Sequence, residues 1–207
     1  MHAGKFNGIF EGIKIKSIGI SAFELSKFTG AFECPNLQTV GKSAFELSKF
    51  TGAFECPNLQ AVGYVAFWNS VFTGAFDCPN VQTVGIYAFR NSQFDGAFEC
   101  PNLTTVGDGA FYNSNFTGSL SLPMCTYVGT NAFQFSNFSG SLNLPMCTYI
   151  GVYAFRNSNF NSITIGANAT LGTGCIGAHS TEFIQDYADN GKLSGTYIWD
   201  GQHWIYQ

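Results

Sequence analysis

Charge is scarce in this chain. Asp, Glu, Lys and Arg together make up 11% of the 207 residues, and the formal net charge is −4. No run of Lys or Arg supplies a basic patch, so a nucleic-acid partner is not expected. Hydrophobic residues reach 45%, which excludes a chain that stays disordered for lack of burial. No apolar run approaches the ~20 residues of a membrane-spanning helix, so membrane insertion is not expected. Histidine is sparser still, at three residues. His2, His179 and His203 have neither metal-ligand spacing nor an evident acid partner, and no C-x-x-C pair occurs. A nucleophile motif of the G-x-S-x-G type is lacking. Gly172 to Gly177 matches G-x-G-x-x-G after the strand-like Ile163-Thr164-Ile165, but no βαβ unit surrounds it. No enzyme, cofactor or metal is therefore expected. The segment Met1-His2-Ala3-Gly4-Lys5 lacks the apolar core of a secretory signal.

Glycine and phenylalanine are abundant instead, at 24 and 22 residues. The phenylalanines are periodic. Phe6, Phe28, Phe50, Phe72, Phe94, Phe116, Phe138 and Phe160 are each 22 residues apart. The series Phe23 to Phe155, Gly19 to Gly151, Pro35 to Pro145 and Ser26 to Ser158 keep the same interval. A repeat of this length cannot bury its own apolar face; stacked on its neighbours it makes a continuous core.

Within the unit Phe28 to Lys49, Ala31-Phe32-Glu33-Cys34 alternates as a half-buried strand does, with Phe32 and Cys34 inward and Ala31 and Glu33 outward. Pro35-Asn36 ends the strand. Leu37 and Val40 return to the interior, Gly41 supplies a bend, and Ser43 to Leu47 has room for one or two helical turns. The seven cysteines fit this scheme. Cys34, Cys56, Cys78 and Cys100 share a ladder with Leu122 and Leu144, while Cys125 and Cys147 replace Leu37, Leu59, Val81 and Leu103 on another. Exchange between Cys and Leu marks interior positions, and the thiols are expected to be buried and free.

The stretch Leu122 to Phe133, L-P-M-C-T-Y-V-G-T-N-A-F, resembles the BspA-like leucine-rich-repeat proteins, whose repeat carries L-P-x-x-V-x-x-I-G-x-x-A-F-x-x-C. The match runs over roughly residues 6 to 181. It departs from the family at the repeat-ending Cys, which is Ser here (Ser48, Ser70, Ser92), and at strand leucines that become Phe and Cys in the first units. The resemblance implies a mostly β, right-handed leucine-rich-repeat solenoid, a parallel β ladder with short helical turns, capped at both ends. It also implies non-catalytic adhesion or protein binding at an extracellular or cell-surface location, a bacterial cell surface above all, since family members are bacterial or protist surface proteins. The partner it implies is a host, neighbouring-cell or matrix protein; glycan binding through Trp68, Tyr112, Tyr127 and Tyr149 is the alternative.

A single domain over residues 1–207 is expected, with 22-residue units from 6 to about 181. The first unit is cap-like, since Gly12-Ile13 replaces Cys-Pro and Lys14 and Lys16 add charge. Residues 182–207 read as a second cap, a short helix over Glu182 to Ala188 and a hairpin about Asp200-Gly201. The sharper alternative makes that hairpin an aromatic ligand-binding element.

Two outward features are candidate sites. Glu33, Glu55, Asp77 and Glu99, continuing Glu11, form an acidic ladder at one strand position. Like charges ~5 Å apart in water repel by about 1 kcal/mol. The ladder is either a solvated face or a stripe for a basic partner or a divalent cation. The second feature is variability. One position runs Glu46, Trp68, Arg90, Tyr112, Gln134, Arg156, and another Ser43, Val65, Tyr87, Gly109, Asn131, Tyr153. Trp68, Arg90, Tyr112 and Arg156 are the residue types that dominate interface hot spots, though drift at exposed sites produces variety as well.

Overall fold

The computed structural model describes residues 8–73, 76–94 and 98–207; the side chains of Asp77 and Glu99 lie outside the described residues. The chain is a β-solenoid in which each 22-residue unit makes one coil with three arcs. The first arc is the expected Phe-acid strand. Phe10–Glu11 pairs in parallel with Phe32–Glu33, which pairs with Phe54–Glu55; Phe76–Asp77 pairs with Phe98–Glu99. Later coils lengthen this strand to Thr117–Ser121, Asn137–Leu144 and Asn159–Ile165. The second arc is an eight-stranded parallel sheet of two-residue strands, from Ser17–Ile18 to Thr170–Leu171. Its inward residues Val40, Val62, Val84, Val106, Val128 and Ile150 are buried, as are Leu37 and Leu59 before them.

The third arc is tighter than the expected helical turn. Ser43 N–H, Phe45 N–H and Leu47 N–H donate across to Tyr64, Ala66 and Trp68 carbonyls of the next coil at 3.0, 2.7 and 2.8 Å. The alternate groups, Ala44, Glu46 and Ser48, donate back within their own coil to Gly41, Ser43 and Phe45. Positive φ at Ser43 and Leu47, both 55°, interrupts the right-handed run that an α-helix needs. The arc is thus a third ladder, and it satisfies the amide groups that a helix would have paired internally.

The glycine series has a different cause from the bend expected of it. A Cβ built on Gly85 would lie 2.8 Å from the Gly63 carbonyl carbon and 2.9 Å from the Tyr64 nitrogen. Gly41, Gly63, Gly107, Gly129 and Gly151 meet the preceding coil's backbone in the same way. These residues are glycine because adjacent coils touch there, backbone to backbone.

Phenylalanine fills the core as interlocked ladders. Rings of Phe45, Phe67, Phe89, Phe111, Phe133 and Phe155 stack coil on coil, with neighbouring centroids 4.8 to 5.1 Å apart. Other ladders meet them edge-on, as Phe54 does Phe67 at 4.9 Å and 82°. Both offset-stacked and edge-to-face contacts suit the ring quadrupole. The four thiols of Cys34, Cys56, Cys78 and Cys100 and those of Cys125, Cys147 and Cys175 are buried, and none of the seven is in a disulfide. The serine ladder that replaces the family's cysteine is buried too, from Ser48 through Ser158.

The ends differ. In the first described coil Phe10 and Phe23 are half-buried, as is Phe28 at the start of the next, while Ile13, Ile20 and Leu25 are exposed. At the other end a helix, Ser180–Asp189, and a hairpin, Gly195–Trp199 with Trp204–Tyr206, cover the stack. The hairpin pairs antiparallel with Asn159–Ile165 and so occupies the edge of the first-arc sheet. Phe183, Tyr187, Tyr197 and Trp204 are buried against one another. Trp204 Nε1 donates to the His179 carbonyl at 3.2 Å, and Asp186 Oδ2 accepts from the Trp204 amide at 2.6 Å. Tyr197 and Trp204 therefore face the interior of this end, while Trp199 is half-buried and Tyr206 exposed.

Candidate binding surface

The two sequence-derived features lie on different arcs of the coil. The acidic ladder occupies the first arc. Its register is as expected, Glu11 opposite Glu33, Glu33 opposite Glu55 and Asp77 opposite Glu99. Glu11 and Glu55 are exposed and Glu33 is half-buried. Beside the ladder Ala31 and Ala53 keep the surface low. Among the described residues no three His, Cys, Asp or Glu side chains converge as a metal would require. The ladder is a row of carboxylates along the stack rather than a cluster.

The variable residues occupy the third arc. Trp68, Arg90 and Tyr112 sit at one position of three successive coils; Arg156 follows beyond Gln134, which is buried. The position is therefore not uniformly exposed, and Gln134 separates Arg156 from the other three. The second variable series contributes directly. The guanidinium of Arg90 lies between two rings, 5.2 Å from the Tyr87 centroid and 4.6 Å from that of Tyr112. Cation–π contacts of this kind hold an arginine in place without neutralising it. Tyr87 reaches that position by lying across Gly109, where a Cβ would be 2.5 Å from its ring. Gly109 also has φ of 56°, a region glycine enters without penalty.

The same device recurs further along the stack. Arg156 lies 5.0 Å from the Tyr153 ring, and Tyr153 lies across Gly174, whose φ is 63°. Gly174 belongs to the G-x-G-x-x-G match, so that run is the last coil's turn, with the Tyr153 ring resting on it. Trp68, Val65, Tyr64 and Tyr87 with Arg90 line a cavity of about 160 Å³. Lys42 adds a further cation, 5.4 Å from the Tyr64 ring.

Sequence reasoning points to Trp68, Arg90, Tyr112 and Arg156 but misses Lys42 and Tyr64. A signal exists: the residue after the Gly of each unit runs Ile20, Lys42, Tyr64, Ile86, Asp108, Thr130, Val152, as varied as its neighbours. The aromatics of the glycan alternative are not brought together on one arc. Tyr127 and Tyr149 stack on each other at 4.9 Å on the second arc, away from the arc that carries Trp68 and Tyr112.

No curated protein matches this chain. A family description does: the BspA-type leucine-rich repeat region matches in six copies, over residues 7–73 and 60–180. The stacked coils, the V/I-G-x-x-A-F turn and the strand ends where buried Leu122 and Leu144 precede Pro are its repeat in three dimensions, and the chain belongs to the BspA-type leucine-rich-repeat family.

Proposed function

We propose that this protein is a non-catalytic protein-binding module, displayed at a cell surface for adhesion, and that its third arc carries the contact with a host, neighbouring-cell or matrix protein. Membership of the BspA-type family supports the general role, since a leucine-rich-repeat solenoid ordinarily serves as a binding scaffold. One observation carries the choice of face: Arg90 is fixed between Tyr87 and Tyr112 while no described acidic group pairs with it. A preorganised arginine flanked by Trp and Tyr loses little freedom on binding and is the composition of an interface hot spot.

The test uses the whole chain against immobilised matrix and cell-surface proteins, with a glycan array in parallel. Once a protein partner is found, Trp68→Ala and Tyr112→Ala each weaken binding by about 2 kcal/mol, roughly 30-fold. Glu33→Gln with Glu55→Gln leaves the affinity unchanged. Weakening by the glutamate pair, together with a salt-sensitive affinity, transfers the contact to the acidic ladder. Binding to glycans alone replaces the protein reading.

A further inference from the structure

Two of the residues that line the cavity of Tyr64, Val65, Trp68, Tyr87 and Arg90 carry donors that lack acceptors. Trp68 Nε1–H and Arg90 Nε–H are shielded from solvent and bonded to nothing. Buried donors in folded proteins are ordinarily satisfied; the interior hydroxyls of Ser48, Ser70 and Ser92 also go without partners, and what singles out this pair is that both residues line a cavity. The other guanidinium nitrogens of Arg90 make no described hydrogen bond, and the one described salt bridge lies elsewhere, between His203 and Asp186.

We propose that this cavity seats one carboxylate side chain, Asp or Glu, of a protein partner. The inference rests on the reading of the third arc as the binding surface. A carboxylate meets a guanidinium through parallel N–H···O bonds, and it alone among side chains offers several lone pairs and no donor. The indole N–H is shielded from solvent, so the carboxylate's second oxygen reaches it only once the half-buried Trp68 side chain turns. Lys42 on the rim raises the potential for an anion. Size selects among carboxylates. Sites for small molecules run to about 300–1,000 Å³. At about 160 Å³ this cavity is smaller than such sites and suits a single side chain. The seat is rigid because the Tyr87 ring rests on Gly109 and cannot swing into that coil.

Titration of the ¹⁵N-labelled whole chain tests this without any partner. The Trp68 indole cross-peak is assigned as the one absent from Trp68→Phe. N-acetylglutamic acid amide, which carries a free side-chain carboxylate, is the probe; N-acetylglutaminamide and glucuronate are the comparisons. The Trp68 indole is expected to move saturably with the glutamic probe and not with the glutamine one. Arg90→Gln is expected to weaken that response about tenfold or more, while the Trp199 and Trp204 indoles, in the cap, stay in place and report an intact fold. A stationary Trp68 indole, or an undiminished response in Arg90→Gln, overturns the seat. A stronger response to glucuronate overturns the assignment to a protein side chain. Since the peak reads the cavity itself, a stationary indole with partner binding retained removes only the seat. A responsive indole with no protein partner removes the protein-binding reading instead.

Discussion

At the scale of single residues, the thiols show how exchange along a ladder reveals orientation. Cys34, Cys56, Cys78 and Cys100 share their ladder with Leu122 and Leu144, and all six are buried. Burial pushes the Cys34 and Cys147 thiols up to about 11 and those of Cys56, Cys125 and Cys175 up to about 12. Desolvation disfavours the thiolate, and the thiolate is the reactive form. A disulfide-exchange reagent at pH 8 is therefore expected to label almost none of these cysteines in the native protein and all of them in denaturant. The linkage has a definite sign. The folded values lie above the unfolded value of 9.0, so stability is complete below that pH and is lost as pH rises through 11 to 12. Melting temperature followed from pH 8 to 11 checks this; a flat profile contradicts the burial. Orientation is legible here because the sequence repeats the same position with different residues. The Arg90 sandwich is legible only in half: Tyr87 stands three residues earlier in the same coil, but Tyr112 reaches it from the next, and no single unit displays both contacts.

At the scale of the element, the coil is legible in its strands and only partly in its turns. Alternation over Ala31 to Cys34 is local and periodic, so the first arc follows from it. Ser43 to Leu47 carries helix-compatible residues, yet its amides are claimed by the neighbouring coil, a competitor that local propensity does not contain. The glycine series makes the same point and provides a test. Gly85 lies against the Gly63–Tyr64 backbone, whereas Gly19, in the first described coil, has nothing within 4 Å of the point where a Cβ would stand. Gly85→Ala forces two coils apart and is expected to cost about 1–3 kcal/mol, the usual range for overpacking. Gly19→Ala is expected to be near neutral. Chemical denaturation of both variants decides; equal losses mean that these glycines serve a bend after all.

At the scale of the molecule, the period of 22 residues alone makes the solenoid evident, and the break in that period announces the C-terminal cap. Helix and hairpin are legible there from local signals, an amphipathic segment and Asp200-Gly201. Which aromatics face inward is not, since burial of Tyr197 and Trp204 depends on Phe183 and Tyr187 packing from the helix. The coil-to-coil ladders have one further consequence, which is mechanical. Each interior coil is hydrogen-bonded to the coils on either side, and the hairpin anchors the last long strand from its outer edge. Tension applied at the N-terminal end with the C-terminal end held loads one inter-coil seam at a time. Coils should then peel in sequence, each releasing 22 residues, about 75 Å of extended chain. Single-molecule stretching is expected to show a train of equal extensions, and one cooperative rupture of the whole stack contradicts it. Such a chain lengthens under load in equal increments while its unpeeled coils, and any contact they carry, remain folded.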